Sequence, residues 1–234
     1  MKEVIFILAN AAREENIGAA ARAIKTMGIS NLYLVAPIAN HLGERSRATA
    51  HGSIDILEKT QIFQSLSDAI SGIDLVIGST AKKRSVAQVY NPVDDLPQII
   101  LDKGNTIKNV AIVFGGEESG LSNEQLAQCH FLSTIPMYRK YPSLNLAQSV
   151  MVYATYLSKV TLQWKKKSVD PPVEAELPIV RDKARQILGD VDMQPDNLIY
   201  RRIMERLMLL NKDDINLFHS FCKFYLKKYH GRVK

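Results

Sequence analysis

The stretch Val110-Ala111-Ile112-Val113-Phe114-Gly115-Gly116-Glu117-Glu118-Ser119-Gly120-Leu121 joins a short apolar run to a glycine-rich loop. An unbroken run of β-branched and apolar residues ended by glycine reads as a strand buried on both faces. Glycines directly after it permit close backbone approach or positive φ. This is not a phosphate loop: it lacks the Gly-Lys-Ser/Thr ending, and its two acids would repel phosphate. A dinucleotide fingerprint belongs after a first strand and has no need of adjacent glutamates. The two carboxylates suit hydrogen-bond or cation partners instead.

Outward from this segment the pattern repeats. Apolar runs at Val4–Leu8, Leu32–Val35, Leu75–Ile77, Val110–Phe114 and Phe131–Ile135 alternate with helical spacing at Ile17–Met27, Ala48–Ile54, Leu66–Ile70, Asn123–Cys129 and Asn145–Val160. Such alternation marks βαβ units around a mainly parallel sheet, so the fold class is α/β. Ligands of these sheets sit at the carboxyl ends of the strands, which directs attention to the loops after each run. Near Trp164 the pattern ends. Lys165-Lys166-Lys167-Ser168, Pro171-Pro172 and Pro178 read as a polar, proline-stiffened linker. Ile179–Leu188, Leu198–Leu210 and Ile215–Tyr229 then show helical spacing without strand signal, with Asp196-Asn197 and Asp213-Asp214 as helix starts. The expected division is a catalytic sheet domain over 1–162, a linker over 163–178 and a small all-helical extension over 179–234.

With 234 residues, 46% hydrophobic and 23% charged, the chain has a soluble globular composition and can bury a full core. Cys129 and Cys222 stand far apart and outside any metal-ligand spacing, so reduced thiols in a cytoplasmic setting are expected. The run after Met1-Lys2-Glu3 is too short for a signal-peptide core, and no segment is long enough to cross a bilayer. The net charge of +6 is uneven: residues 1–159 hold 15 Lys and Arg against 14 Asp and Glu, whereas 160–234 hold 15 against 10. A basic tail on a near-neutral body suits a polyanion partner. A well-solvated helical surface would carry the same excess.

Three more loops hold residues with chemical potential. In Asn16-Ile17-Gly18-Ala19-Ala20-Ala21-Arg22, Asn16 suits a helix N-cap and the small residues suit close packing on the sheet. Arg22 lies off the apolar stripe of Ile17, Ala20, Ala21, Ile24 and Met27, free to clamp a phosphate bidentately. Gly78-Ser79-Thr80-Ala81 leaves room for a ligand beside three cations, Lys82, Lys83 and Arg84. After Ile135-Pro136-Met137, Pro142 holds Tyr141 extended, Ser143 suits an N-cap, and Asn145 would fall in the first turn of the next helix. Singly, each has a plain structural explanation as a cap, a packing contact or a solvated charge.

Together and in order they resemble the three motifs of the SpoU/TrmH family of SPOUT methyltransferases over roughly residues 1–160. Asn16 with Arg22 is similar to the first motif. Gly115, Glu117, Gly120 and Leu121 are similar to the second, and Ile135-Pro136-Met137 with Ser143-Leu144-Asn145 to the third. Ala21–Gly28 and the helical tail are most similar to the TrmJ-like branch. The chain departs from that branch at Gly116, where an arginine is usual, and across Tyr138-Arg139-Lys140-Tyr141-Pro142.

The resemblance implies a SPOUT-type knotted fold with a deep trefoil knot, an exception among folds. It implies S-adenosylmethionine (S-adenosyl-L-methionine) bound against Ser79, Thr80, Ala81, Gly115, Ile135, Met137, Ser143, Leu144 and Asn145. The implied reaction is methylation of an RNA ribose 2′-hydroxyl, in the TrmJ-like branch within the tRNA anticodon loop, by a homodimer without metal. Arg22, Asn16, Glu117, Ser143 and Asn145 form the implied catalytic set, with Arg22 reaching the cofactor of the other subunit. Arginine is a very poor base, so anchoring a phosphate is its firmer role. The implied RNA contacts are Arg22, Lys82, Lys83, Arg84, Arg139 and Lys140. An rRNA 2′-O-methyltransferase and a non-catalytic RNA-binding factor on the same fold are the alternatives. In the tail, Lys165–Lys167, Arg181, Arg185, Arg201, Arg202, Arg206, Lys223, Lys227 and Lys228 are expected to grip RNA outside the active site. Leu207, Leu210, Leu217, Phe221 and Phe224 are expected to form helical core or a dimer contact.

Overall fold

The computed structural model of the chain describes residues 3–81, 90–138, 143–166 and 177–231, and for 162–166 the backbone alone. The strands are β1 (Glu3–Ala9), β2 (Asn31–Val35), β3 (Gln61–Phe63), β4 (Leu75–Ser79), β5 (Tyr90–Pro92), β6 (Asn109–Phe114) and β7 (Phe131–Thr134). They form one sheet in the order β3-β2-β1-β6-β4-β7-β5, and every pairing is parallel. The described helices are α1 (Glu14–Thr26), α2 (Glu44–Ala50), α3 (Ile54–Glu58), α4 (Leu66–Ala69), α5 (Leu96–Asp102), α6 (Asn123–Ala127), α7 (Leu146–Lys166), α8 (Leu177–Asp190), α9 (Leu198–Leu207) and α10 (Lys212–His230). Because the strands run one way, the loops after β1, β4, β6 and β7 emerge along a single edge of the sheet.

Strand β1 shows why the apolar runs are unbroken. Val4, Phe6 and Leu8 face a core shared with α1, α5 and α7, whereas Ile5, Ile7 and Ala9 face another shared with α4 and α6. Both faces are covered, so both sets of alternating residues must be apolar. Phe114 stacks on Phe6 at 5.7 Å and meets Tyr153 edge-on at 5.2 Å, tying α7 to the carboxyl end of β6.

The five expected strands are present. Edge strands β3 and β5 have three residues each, too few to show a period, and exist through pairing to β2 and β7. The expected helix Ala48–Ile54 is instead the end of α2 and the start of α3. They are parted at His51 and Gly52, whose φ values of 28° and 74° leave the helical region. Gly18 packs α1 against α2 rather than against the sheet: a Cβ there would lie 2.1 Å from the Ser46 carbonyl oxygen.

Helix α7 runs on to Lys166, past the expected break near Trp164. Leu177, Val180 and Ala184 of α8, with Leu207, Met208 and Ile215, join the same buried cluster as Ile100 and Ile107. The helical extension therefore shares a core with the sheet. It covers the amino-terminal edge of the strands, opposite the loops described above. There Lys103, fully buried ahead of β6, donates from Nζ to the Leu210 carbonyl at 3.1 Å. Burial drives its pKa down to about 7 against the opposing charge of Asp102.

Helix α9 is capped by Asn197 as expected, but α10 is capped by Asn211, with Asp213 and Asp214 in its first turn. Ile215, His219, Cys222 and Leu226 form the buried stripe of α10. Leu207 and Leu210 pack inward, but Leu217, Phe221 and Phe224 are 72%, 53% and 76% exposed, so they are not helical core. The i, i+4, i+7, i+11 spacing from Ile215 puts them on other faces. Among the described residues no helix is long and apolar enough to cross a membrane.

Candidate active site

Helix α1 begins at Glu14 with Arg13 as its N-cap, and the Arg13 side chain makes no capping bond. The glycine loop after β6 instead ties down the chain just ahead of the helix and the side chain of Asn16 in its first turn. Glu117 Oε2 accepts from the Ala12 N–H at 3.0 Å, and Glu117 Oε1 accepts from Asn16 Nδ2 at 2.8 Å. Burial opposes ionisation of Glu117. The Asn16 amide and the backbone N–H groups of Ala12, Glu117 itself and Arg13 outweigh it, and hold the carboxyl below its usual pKa. It is a carboxylate at neutral pH, so it only accepts hydrogen bonds.

Asn16 sits inside α1 and is buried, so it is not the cap expected from sequence. Its amide bridges instead: while Nδ2 donates to Glu117, Oδ1 accepts from Asn145 Nδ2 at 2.8 Å. Asn145 in turn caps α7, its Oδ1 accepting from the Ala147 N–H at 2.8 Å. The expected cap, Ser143, is exposed two residues earlier. The helix starts at Leu146, so the residue that precedes it is Asn145 and not Ser143. Glu117, Asn16 and Asn145 thus form one chain of hydrogen bonds through the loop of β6, the first turn of α1 and the start of α7.

The glycine loop is fixed by backbone crowding. A Cβ on Gly115 would lie 2.0 Å from the Gly120 carbonyl carbon, and Gly120 adopts φ of +67°. A Cβ on Gly116 would lie 2.8 Å from the carbonyl oxygen of Asn10, which itself holds a φ of 55° at the end of β1. The arginine usual in TrmJ-like proteins therefore finds no space here unless the β1 end shifts. Asn10 Oδ1 also accepts from Gln125 Nε2 at 3.0 Å. The Ser122/Gln125 capping box of α6 is legible in sequence, but that cross-loop bond is not.

The expected cofactor residues gather at three neighbouring strands. Ser79 ends β4 and Thr80 and Ala81 follow it, Gly115 follows β6, Ile135–Met137 follow β7, and Ser143–Asn145 lead into α7. The Thr80 N–H donates to the Ser133 carbonyl at 3.0 Å, holding the loops of β4 and β7 together. Beneath them the buried Tyr153 hydroxyl faces those of Ser79 and Ser133 without closing a hydrogen bond to either. Among the described residues no His, Cys, Asp and Glu group could hold a metal ion.

Arg22 stands apart. Six residues beyond Asn16 on the same helix, it lies about 9 Å further along the axis and on a different face. Its side chain is exposed and, among the described residues, has no ion-pair or hydrogen-bond partner. Lys82, Lys83, Arg84, Arg139 and Lys140 lie outside the described residues.

Residues 3–155 match the model of the SpoU rRNA Methylase family, and 174–229 match that of the C-terminal domain of tRNA/rRNA methyltransferase LasT. An uncharacterized tRNA/rRNA methyltransferase, LasT, from Escherichia coli is 37% identical over 92% of this chain and 94% of its own length. A tRNA (cytidine/uridine-2′-O-)-methyltransferase, TrmJ, from Photorhabdus laumondii is 33% identical over 79% of this chain and 76% of its own. Among solved structures, a probable methylase family protein from Haemophilus influenzae superposes with a TM-score of 0.69 at 28% identity, covering 98% of each chain. TrmJ from Z. mobilis gives 0.63 at 25% identity, covering 94% of this chain and 98% of its own.

Proposed function

The chain belongs to the SpoU rRNA methylase family, and from that premise we propose that it is an S-adenosylmethionine-dependent methyltransferase acting on an RNA ribose 2′-hydroxyl, with tRNA as substrate. The observation that carries this reading is the Glu117–Asn16–Asn145 chain of hydrogen bonds, which joins one residue from each of the three motifs at the carboxyl edge of the sheet.

S-adenosylmethionine supplies an activated methyl group on a sulfonium, so positioning of the acceptor is the main task left to the protein. The site suits such a ligand. Gly115 and Ile135–Met137 follow β6 and β7 on either side of β4, and among the described residues the buried Ser133 and Tyr153 hydroxyls nearby have no hydrogen-bond partner. We place the cofactor against Ser79, Thr80, Ala81, Gly115, Ile135, Met137, Ser143, Leu144 and Asn145, within a trefoil knot made by these loops. Glu117 orients Asn16, and Asn16 orients Asn145 at the mouth of α7. Arg22 is exposed on a face of α1 other than that of Asn16. We therefore assign it to the cleft of a second copy, where its guanidinium anchors the RNA phosphate beside the reacting ribose. The sheet with α1–α7 is the catalytic part, and the helical extension is an RNA-gripping part built onto its core.

The test is incubation of the protein and labelled S-adenosylmethionine with separated tRNA and rRNA from cells lacking the gene, followed by nucleoside analysis. Label in a 2′-O-methylnucleoside of the tRNA fraction is expected. Label in rRNA alone would replace tRNA as the substrate, and tight RNA binding with no label would make the protein a binding factor.

A further inference from the structure

A cleft of about 1400 Å³ lies at the opposite edge of the sheet, between the starts of β4 and β7 and helices α8 and α9. His130, just ahead of β7, is held there by both its main chain and its ring. Its N–H donates to the Val76 carbonyl at 2.8 Å, and its Nδ1 accepts from the Val76 N–H at 2.9 Å. Nδ1 is therefore unprotonated, and the neutral ring carries its hydrogen on Nε2. Yet the group 2.9 Å from Nε2 is Nη1 of Arg181, from α8. A guanidinium has donors only, so two N–H groups meet with no acceptor between them. Moving the hydrogen to Nδ1 only transfers the conflict to Val76. Protonating the ring makes both nitrogens donors, and burial together with Arg181, Arg185 and Lys103 pushes the His130 pKa down to about 3. Among the described residues Arg181 Nε is also buried without a hydrogen-bond acceptor, with a carboxylate oxygen of Asp182 3.6 Å away.

What these donors lack is an acceptor, such as an oxygen with several lone pairs and no hydrogen of its own. The carboxylates nearby are committed. Asp74 accepts from the backbone N–H groups of Lys108 and Asn109, Asp182 pairs with Arg185 at 3.2 Å, and Glu205 is buried and engaged. Arg201 and Tyr200 also line the cleft. Cations beside an aromatic face are the elements that hold a nucleotide, phosphate on one and base on the other.

We propose that this cleft is a second RNA site, in which a backbone phosphate accepts from His130 Nε2–H and from the guanidinium groups of Arg181 and Arg185, with a neighbouring base against Tyr200. The inference rests on the reading of RNA as substrate. The length of β4 and β7, about 15 Å, separates the cleft from the methyl-transfer loops. A structured RNA spans that distance around the β5 edge, whereas a mononucleotide does not.

The test uses the full chain and RNA binding followed across salt concentration. Arg181→Gln and Arg185→Gln are each expected to raise Kd about tenfold and to lower the slope of log Kd against log salt by about one, with S-adenosylmethionine affinity unchanged. Circular dichroism monitors folding, and half-exposed Arg185 decides if Arg181→Gln does not fold. Wild-type Kd and slope in the folded variants would overturn the inference while leaving the proposed activity intact. A wild-type protein that binds and methylates no RNA would remove both. Tripolyphosphate is the small-ligand probe. If it raises the Tm of wild type but not of the variants while RNA binding is unaltered, the cleft takes a free phosphoryl compound and the RNA assignment falls.

Discussion

At the scale of single residues, the site depends on one amide. Asn16 is the only link between the Glu117 carboxylate and Asn145 among the hydrogen bonds described, and it is buried. Asn16→Ala leaves both neighbours without their partner and frees the entry to α7. Methyl transfer is expected to fall about a hundredfold, the cost of roughly an ångström of misplacement, with the helix content retained. Glu117→Gln removes the charge at the start of α1 and is expected to cost about 1 kcal/mol in a denaturant titration. Because the Glu117 pKa is depressed in the folded protein, its contribution is present above the ordinary carboxylate range and lost as pH falls through the lower folded value. The variant should lack that acid-dependent loss. Asn16, Glu117 and Asn145 were legible in sequence as motif members. The bridge that Asn16 makes between Glu117 and Asn145 was not, because it depends on contacts across 101 and 129 residues.

At the scale of elements, alternation of apolar runs located β1, β2, β4, β6 and β7, since strands covered on both faces must be apolar throughout. It missed β3 and β5, which are edge strands of three residues. It missed α5 too, whose buried stripe has only Leu96 and Ile100. That short helix leads to Lys103, an ammonium with no solvent exposure. A base whose folded pKa, about 7, lies below its free value of 10.5 penalises the fold while it is protonated. The penalty is complete below the folded value and is relieved as pH rises toward the free one. Lys103→Met is expected to be more stable than wild type by on the order of 2 kcal/mol near about pH 6, with the gap closing by about pH 10. Urea denaturation at the two pH values measures it.

At the scale of the whole molecule, the proline-rich segment suggested a tethered appendage, yet α8–α10 share the main core through Leu177, Val180, Met208 and Ile215. Sequence could not show this, because an apolar stripe on a helix does not say which surface covers it. Met208→Ala, at a position 1% exposed, is expected to lower the stability of the entire chain by about 3 kcal/mol. Calorimetry should record one transition, not an early melting of the extension.

The same scale holds the central claim, a ribose methyl-transfer site completed by a second copy of the chain. The measurement is 2′-O-methylnucleoside formed on RNA by wild type, by Asn16→Ala, by Arg22→Ala, and by the two variants mixed and allowed to exchange subunits. Each variant alone should be nearly inactive. In the mixture half of the dimers carry one intact site, so about a quarter of wild-type activity should return. Methyl groups on a base, or an Arg22→Ala protein that keeps the wild-type rate, would contradict the account.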